Sequence, residues 1–517
     1  MAATSAPTVT DSQRTGVAQV ELPECTRKND FSKWYQKVIK IADLAEPSAV
    51  RGCMVIKPNG YAIWERVQRQ LDDRFKEGDL CQNAYFPLFI PVEFFEKEAT
   101  HVAGFAKECA VVTHYRMRMS ADGKMEPDPD AKLDKPLIVR PTSETIIGDS
   151  MSKWIQSHRD LPLKLNQWCN VVRWEHHTRP FLRTTEFLWQ EGHCAFSTEA
   201  TARENALKMA QVYSAFMTQE CAMPVILGEK SSGERFAGAV QTYCLEAMMQ
   251  DGKAVQAGTS HYLGQNFAKA SEIQFTDVNN EKQYAHTTSW GVSTRLIGSL
   301  IMVHSDDSGL RLPPRLAVHH VVILPSQAPS KERDDYIAKI KNCLKGRMYE
   351  GQPLSVHVDQ REGMNAGEKG RDWVNKGAPM RLEIGPREAK AATITVFRRD
   401  QNLLEKTLVK ADEIAGHVIQ TLGEIQVNYY AQAKAFMDSH IRIDITTPEQ
   451  IKAFFADPEN MGFVRAKWCG KPETEEMLKE EYGVTIRCLP LDQKMTEGPC
   501  VLTGEPATIE AVFGRSY

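Results

Sequence analysis

One stretch of the sequence mixes apolar, strand-forming residues with charges that could hold a polar ligand. It covers residues 171–175 and continues through residues 183–193. Arg173 and Glu175 are two residues apart, so a strand would aim both side chains at one face, where they could hold opposite ends of one ligand. Burying both charges without a ligand costs several kcal/mol. The alternative is a structural Arg–Glu pair on a sheet, which is common for two such residues taken alone.

Two further stretches place polar residues at the ends of predicted strands. Residues 137–139 predict a strand that leads into a proline turn containing Thr142 and Glu144, a hydroxyl and a carboxylate two positions apart. Downstream, Arg295 lies where a predicted strand meets the apolar run 296–303, which predicts a buried helix. Each stretch alone is a weak signal, and only the combination of the three points to a family.

Together the three stretches resemble the signature elements of class II aminoacyl-tRNA synthetases, and their residues are similar to those of prolyl-tRNA synthetases of the eukaryotic and archaeal type. The resemblance covers nearly everything from about Phe31 onward, within boundary errors of about two to four residues. It implies a multidomain α/β and α+β fold, with a class II antiparallel-sheet catalytic domain, an α/β anticodon-binding domain and a small α+β C-terminal domain. Further matching segments are residues 33–35, 85–91, 258–267 and 513–517.

The resemblance implies ATP-dependent ligation of L-proline to tRNA(Pro) through a prolyl-adenylate, with release of AMP and pyrophosphate. Two anions must meet in this reaction, so we expect arginines and Mg2+ to supply the essential charge, without a protein nucleophile. Arg173 is expected to bridge the α-phosphate and the proline carboxylate, because a guanidinium fork can hold two oxygens. Arg295 is expected to bind the γ-phosphate. Mg2+ is expected to be carried by the phosphates, and we name no protein ligand for it.

The other expected ATP contacts also come from the resemblance. Glu175 is expected to accept a hydrogen bond from the adenine amino group, and Phe187 to stack on the adenine face. Further contacts along the nucleotide are expected from Arg183, Thr184, Gln190, Gln256 and Thr259.

Proline selection requires a small apolar pocket with a partner for the secondary ammonium. Thr142 and Glu144 match the residues that hold this nitrogen in the family, and a carboxylate is the expected partner of an ammonium. A histidine in an apolar strand is usually a satisfied core residue, so a site role for His261 depends on the match of residues 258–267. The expected contacts around the ring and carboxylate are Arg173, Trp189, Glu191, Phe236 and His261.

The length, composition and net charge of the chain are compatible with a prolyl-tRNA synthetase-like protein, but many other proteins share them. The chain has 517 residues, 42% hydrophobic and 25% charged, which is ordinary for a globular protein of about two to four domains. Its net charge of −4 means that any tRNA contact must come from local basic patches. The twelve cysteines lack paired short spacings, which favours reduced thiols. With no apolar run long enough for a membrane span and no signal-peptide core, we expect a cytoplasmic protein without membrane association.

The chain is expected to divide into a disordered tail at 1–25, a catalytic domain at 26–318, an anticodon-binding domain at 319–425 and a C-terminal domain at 426–517. Helical spacing of apolar residues predicts helices at 61–75, 331–344 and 429–441. Strands are predicted at 319–325, 354–358, 380–385 and 392–396.

The C-terminal region departs from a cysteine pattern that binds zinc in many relatives. The expected partner of Cys469 is replaced by Thr474, and Cys500 is followed by Thr503 where another ligand would fall. Cys488 does not have the spacing of that pattern. Two thiolates cannot close a tetrahedral structural site, so we do not expect structural zinc or another protein-bound metal.

Three expectations concern the protein as a whole. The segment between Arg173 and Arg295 is too short for an editing domain, so no editing in cis is expected. A homodimer is expected through residues 61–91, where two prolines flank an edge segment. The alternatives are a catalytically inactive, synthetase-like tRNA-binding or regulatory module and a class II synthetase for threonine or histidine. Against the inactive module, the charged residues expected in the site are all present.

Overall fold

The computed structural model describes residues 25–97 and 108–517. The tail expected at 1–25 lies outside the described residues, except for Cys25. Within the described part of the chain, no helix is long and apolar enough to cross a membrane.

The first region, up to about residue 318, contains a long antiparallel sheet with helices packed against it. Its helices are α1 (Phe31–Ile41), α2 (Pro58–Glu77), α3 (Val92–Lys97), α4 (Glu144–Trp154), α5 (Glu199–Gln219), α6 (Asn266–Ala270) and α7 (Arg295–His304), with 3-10 turns at Pro129–Ala131, His158–Asp160 and Pro314–Leu316. Its strands are β1 (Ala45–Pro47), β2 (Met54–Ile56), β3 (Gln82–Asn83), β4 (Phe89–Pro91), β5 (Val111–His114), β6 (Met117–Met119), β7 (Met125–Pro127), β8 (Lys132–Val139), β9 (Leu163–Val172), β10 (Glu186–Phe196), β11 (Ile226–Glu229), β12 (Gln241–Met248), β13 (Ala254–Gly264), β14 (Gln274–Thr276), β15 (Lys282–Tyr284) and β16 (His286–Ser293).

Helix α2 forms where the spacing of apolar residues predicts a helix. Pro58 begins it, which suits a position whose backbone N–H has no partner within the helix. Ile63, Val67 and Leu71 are fully buried along one face. Phe75 continues this face and packs edge-on against Trp290 of β16, with ring centroids 5.1 Å apart. The helix therefore covers one side of the central sheet and leaves the other side available for a site.

Strand β10 lies in the middle of this sheet, paired antiparallel with β9 on one side and β16 on the other. Gly192 of β10 is opposite Trp290, and a Cβ atom at Gly192 would come within 2.1 Å of the Trp290 ring. Only glycine fits this close approach. The indole of Trp290 thus fills the helix-covered side of the sheet at the centre of β10.

The second region forms a mixed five-stranded sheet in the order β20-β17-β21-β22-β23. Strand β17 is parallel to β20 and β21, and the remaining pairs are antiparallel. This is the expected α/β arrangement. Its elements are β17 (Val321–Pro325), α8 (Lys331–Leu344), β18 (Met348–Tyr349), β19 (Gln352–Pro353), β20 (Val356–Val358), α9 (Ala366–Asn375), β21 (Met380–Ile384), α10 (Pro386–Ala391), β22 (Thr393–Arg398), β23 (Thr407–Lys410) and α11 (Ile414–Ser439).

The last region adds strands directly to the first region's sheet. The joint sheet has the order β24-β25-β29-β26-β11-β12-β13-β16-β10-β9-β3, so β26 pairs with β11. The first and last regions therefore share one continuous sheet. The elements of the last region are β24 (Ile441–Arg442), α12 (Pro448–Ala456), β25 (Phe463–Trp468), α13 (Pro472–Tyr482), β26 (Thr485–Pro490), β27 (Gly498–Pro499), β28 (Pro506–Ala507) and β29 (Ile509–Gly514).

Two predicted elements differ from the structure. Strand β9 ends at Val172, so Arg173 and Glu175 follow the strand instead of projecting from one face of it. The helix expected at 429–441 is the second half of α11, which starts at Ile414 and runs across the position where a domain boundary was expected. The buried residues Val418 and Tyr429 of this helix belong to one apolar cluster of the second region, which explains its length.

Candidate active site

Strand β10 presents candidate site residues on one face and core residues on the other. Trp189, Glu191 and His193 line a cavity of about 260 Å³. Most of the predicted residues come together around it, from β8–α4, β9, β10, the loop after β11, β13 and α7. They are Thr142, Glu144, Arg173, Phe187, Trp189, Glu191, Phe236, Gln256, Thr259, His261 and Arg295.

The two predicted arginines face the same hollow. Arg173 Nε donates to the Pro141 carbonyl at 2.9 Å, and Arg295 Nε donates to the Leu182 carbonyl at 3.0 Å. Burial lowers the pKa of Arg173 to about 10. The negative charge of Glu144 opposes this shift, and the positive charge of Arg295 adds to it. Burial also lowers the pKa of Arg295. Both guanidinium groups are thus destabilised as cations in the protein alone, and an anion in the cavity would relieve both.

A hydroxyl and a carboxylate lie at one end of the cavity. Thr142 Oγ1 donates to Glu144 Oε2, and Glu144 is the first residue of α4. The guanidinium of Arg173 lies 5.3 Å from the Trp189 ring centroid and 5.6 Å from that of Phe187. An acid, a cation and two aromatic rings therefore meet where an amino acid with a small apolar side chain could fit.

Glu191 and His193 form a buried pair beneath this end of the cavity. Glu191 Oε2 lies 2.9 Å from His193 Nε2, and Glu191 Oε1 accepts hydrogen bonds from Ser143 and Gln167 at 2.5 and 2.9 Å. Burial alone would raise the pKa of Glu191, but the hydrogen bond with His193 and its positive charge leave it lowered. Burial alone would lower the pKa of His193, but Glu191 leaves it raised. The two groups stabilise each other in their charged forms.

His261 is a neutral part of the cavity wall. Burial lowers the pKa of His261 to about 3, and its Nδ1 lies 2.9 Å from Thr242 Oγ1. Its ring lies 4.7 Å from the Phe236 ring, centroid to centroid. Together the two rings form an uncharged wall opposite the acid and the arginine.

A second hollow of about 180 Å³ adjoins the first and shares Arg173, Phe187 and Arg295 with it. Its additional predicted residues are Glu175, Arg183 and Thr184. Glu175 Oε1 accepts a hydrogen bond from the His177 backbone N–H at 3.1 Å, Arg183 Nη2 donates to the Tyr517 carbonyl at 3.2 Å, and Thr184 Oγ1 donates to the Glu186 carbonyl at 2.7 Å. Because the two hollows share both arginines, a ligand that occupied both hollows would contact both guanidinium groups.

Gln190 is the predicted site residue that the structure does not bring to either hollow. It is fully buried on the opposite face of β10, where its Nε2 donates to Asn166 Oδ1 at 2.7 Å and its Oε1 accepts from Tyr213 at 2.5 Å. Alternation along a strand puts residue 190 on the other side from residues 189 and 191. The expectation of an ATP contact at Gln190 therefore lacks structural support.

Among the residues that line the cavity, sequence reasoning missed the titratable side chains of His193, Lys230 and Glu234. His193 follows Glu191 by two positions, so strand alternation could have placed it on the same face. Lys230 and Glu234 come from the loop after β11, for which the sequence carries no periodic signal.

An antiparallel sheet with two arginines facing one hollow, one of them at the start of a helix, is the arrangement that the resemblance to class II aminoacyl-tRNA synthetases implies. Three family models agree with this class. Residues 124–304 match "tRNA synthetase class II core domain (G, H, P, S and T)", residues 320–421 match "Anticodon binding domain", and residues 451–517 match "Prolyl-tRNA synthetase, C-terminal".

Whole-chain relatives narrow the class to one family. A protein of Protochlamydia amoebophila named "Proline--tRNA ligase" is 54% identical over 503 residues, which cover 95% of this chain and 98% of the relative. Proteins of the same name from Bdellovibrio bacteriovorus and Porphyromonas gingivalis are 50% and 51% identical over 497 and 502 residues, covering 95% and 96% of this chain and 98% and 99% of the relatives. The chain belongs to the prolyl-tRNA synthetases.

Proposed function

We propose that the joined hollows hold ATP and L-proline, and that the chain ligates proline to tRNA(Pro) through a prolyl-adenylate. The observation that carries this proposal is the convergence of Arg173 and Arg295, which are far apart in sequence, on one hollow. Both arginines have pKa values lowered by burial, which is the state expected of groups that await an anion.

The reaction brings the proline carboxylate to the α-phosphorus of ATP, so repulsion between two anions is the main barrier. Arg173 lies between the end that holds Glu144 and the hollow that holds Glu175, which suits it to hold the carboxylate and the α-phosphate together. Arg295 lies at the N-terminus of α7, where the helix dipole adds positive potential for the γ-phosphate. Catalysis then consists of positioning and charge neutralisation.

The smaller hollow suits the adenine and ribose. The Glu175 carboxylate is free to accept from the adenine amino group through its second oxygen, and the Phe187 ring borders both hollows, where it can stack on the base. Arg183 and Thr184 lie beside this hollow, and the partly exposed Gln256 and Thr259 of β13 reach the larger one. These contacts hold the nucleotide against the uncovered face of the sheet.

Proline occupies the end of the cavity that combines charge with an apolar wall. Thr142 and Glu144 hold the secondary ammonium, with Glu144 as its ionic partner. Trp189, Phe236 and the neutral His261 enclose the ring, and the Glu191–His193 pair supports the floor. A neutral histidine is required at this wall because an imidazolium would repel the ammonium of the substrate.

Mg2+ enters with the nucleotide in this proposal. Within the described residues, no group of three or more His, Cys, Asp or Glu side chains could hold a metal ion, and Mg2+ held by phosphates needs few protein ligands. Bound to the phosphates, the ion supplies charge neutralisation there, and it keeps most of its water ligands.

We also propose that the C-terminal domain folds without structural zinc. Thr474 accepts a hydrogen bond from Trp468 Nε1 at 2.8 Å and donates to the Lys471 carbonyl at 2.7 Å, so its hydroxyl is already used in local structure. Cys488 packs in a different apolar cluster from Cys500. Elemental analysis of protein prepared without added metal tests this, and one zinc per chain contradicts it.

The division of labour along the chain follows the expected regions 26–318, 319–425 and 426–517. We assign activation of proline to the first, anticodon contacts to the second and support of the sheet to the third. Residues 173–295 are accounted for by strands β10–β16 and helices α5 and α6 of the catalytic core, which supports the absence of editing in cis. Hydrolysis of alanyl-tRNA(Pro) by the purified protein faster than in buffer contradicts that part of the proposal.

The type and assembly of the protein are further parts of the proposal. The eukaryotic and archaeal type is proposed from the resemblance of the sequence, and the relatives compared above are bacterial. A cytoplasmic homodimer fits the exposed Tyr85 and the exposed Phe89 of β4, which is an edge strand of the sheet β4-β8-β5. Sedimentation at micromolar concentration tests the dimer.

Proline-dependent exchange of pyrophosphate into ATP tests the function directly. We expect exchange with proline and far less with threonine, histidine, cysteine or alanine in parallel reactions. Exchange led by threonine or histidine assigns the cavity to a different amino acid. No exchange with any of them favours the inactive tRNA-binding module, although the two arginines at one hollow argue against it.

A further inference from the structure

The loop at residues 230–240, called the pocket loop below, joins β11 to β12 and forms one wall of the cavity. It contributes Lys230, Glu234 and Phe236 to the lining. Phe236 packs against His261, the neutral residue of the proposed proline wall. The position of this loop therefore decides how closely the wall fits a ring.

Strand β11, which leads into the pocket loop, lies between the catalytic sheet and the C-terminal domain. On one side it pairs with β12, and on the other Gly228 and Glu229 pair with Pro490 and Leu489 of β26. A Cβ atom at Gly228 would come within 2.6 Å of the Cys488 side chain, so glycine permits this close approach. The loop thus starts from a strand that the C-terminal domain holds on one side.

Three buried charges link the start of the loop to β26. Lys230 Nζ donates to Glu246 Oε1 at 2.9 Å and to the Arg487 carbonyl at 2.8 Å. Arg487 Nε donates to Glu246 Oε2 at 3.1 Å, and its Nη1 donates to Thr485 at 2.8 Å. Burial alone would lower the pKa of Lys230 and Arg487, but Glu246 leaves both raised. The triad is stable in its charged form and ties Lys230 to the C-terminal domain.

Helix α13 of the C-terminal domain contacts the next residues of the pocket loop. Ser231 Oγ donates to Glu475 Oε1 at 3.0 Å, and Glu475 Oε2 is buried without a hydrogen bond from any described residue. Lys479 Nζ lies 3.7 Å from the Glu234 carboxylate. Two elements of the C-terminal domain, β26 and α13, therefore hold the same short segment of the loop.

We propose that Arg487 and Glu475 of the C-terminal domain are positioning residues for proline, acting through Lys230 and Ser231 to hold Phe236 of the pocket loop against His261. Neither residue lines the hollows described above; both lie behind the loop that does. The inference rests on the proposed assignment of the cavity to proline. It means that the C-terminal domain sets the affinity for the amino acid without touching it.

The test measures KM for proline and for ATP, together with the maximal rate of pyrophosphate exchange, in the full-length protein. The variants are Arg487→Met, Arg487→Lys and Glu475→Leu. Arg465→Met is the matched control, because Arg465 is also a partly buried, ion-paired arginine of the C-terminal domain but pairs with Glu510 within that domain. Thermal midpoints of all variants show which of them are folded.

Arg487→Met and Glu475→Leu should each raise KM for proline about tenfold, with KM for ATP and the maximal rate changed by less than about twofold. Arg487→Lys should recover part of the affinity, because it keeps the charge beside Glu246. If Arg487→Met does not fold, Glu475→Leu alone carries the same comparison. A general loosening of the protein would instead change the KM values for both substrates together.

Two results overturn the inference. The first is that folded Arg487 and Glu475 variants have the same KM for proline as Arg465→Met and the unsubstituted protein. The second is that KM for proline and KM for ATP rise by equal factors. The variant Glu144→Gln separates these two results from a failure of the proposed function. If Glu144→Gln also leaves KM for proline unchanged, the assignment of the cavity fails and the inference with it; if it raises KM while the other variants do not, the inference alone is wrong.

Discussion

Arg173 and Arg487 are both largely withdrawn from solvent, yet their surroundings shift their pKa values in opposite directions. Burial lowers the pKa of Arg173, and Arg295 lowers it further, whereas Glu246 more than offsets burial at Arg487 and leaves its pKa raised. The surroundings therefore favour the cation at Arg487, whereas burial disfavours it at Arg173. The difference separates a charge that stabilises the fold from the one that, in our proposal, binds the substrate anions.

The largest expected effect comes from removing Arg173, the arginine of the cavity. Arg173→Ala should lower proline-dependent pyrophosphate exchange by about a thousandfold, because it removes the group that holds both anions together. Arg465→Ala, with its ion pairs inside the C-terminal domain, should keep near-normal exchange. Near-normal turnover of a folded Arg173→Ala protein would remove Arg173 from the mechanism.

The second prediction compares how Arg173 and Arg487 contribute to the free energy of unfolding. Arg487→Met should lower the free energy of unfolding by about 3 kcal/mol, since it leaves Glu246 with one cation fewer in a buried site. Arg173→Met should leave it within about 1 kcal/mol of the unsubstituted protein or raise it, because a desolvated charge beside Arg295 is removed. Denaturant titration of both proteins measures the difference. Equal losses at the two positions would mean that their surroundings do not differ as described.

The third prediction concerns the acid end of the cavity. Glu144→Gln keeps the shape of the side chain but removes the charge that faces the proline ammonium, so KM for proline should rise by a factor corresponding to about 2 kcal/mol. KM for ATP should change little, because Glu144 lies at the end away from the smaller hollow. Equal effects on the two substrates would place Glu144 elsewhere in the reaction.

The smallest expected effect comes from His193 and its partner Glu191. The pKa of folded His193 is raised, so the pair contributes stability that is complete below the ordinary histidine pKa of about 6.5 and is lost as pH rises through the folded value. As pH rises from about 6 through the folded value, the unsubstituted protein should lose more stability than His193→Gln. Thermal midpoints across this range, with exposed His176→Gln as control, measure it. A pH dependence that survives in His193→Gln would exclude the pair as its source.

Local patterns predict the elements of this molecule well. The apolar spacing of residues 61–75 and 331–344 predicts α2 and α8, and the run 296–303 predicts α7. Their buried faces repeat at the helical period, so the signal is contained in each segment. The strand predicted through Glu175 is too long, because the end of β9 depends on where its neighbour turns away.

The site itself is predictable where a motif carries it and not where it depends on distant contacts. Gln190 was expected beside Glu191, although alternation along β10 sends their side chains to opposite faces. The Lys230–Glu246–Arg487 triad joins residues up to 257 positions apart, and no periodicity relates them. Charges paired across such separations become visible only when the sheet order is known.

The pairing of β11 with β26 also has a consequence for biosynthesis. Strand β26 is translated after all of the catalytic core, so during synthesis β11 presents an unpaired row of backbone donors and acceptors. Such an edge invites pairing with other chains until the ribosome has delivered β26. Chains that stall before β26 should therefore aggregate in cells, and a newly made molecule should acquire activity only once β26 has been made.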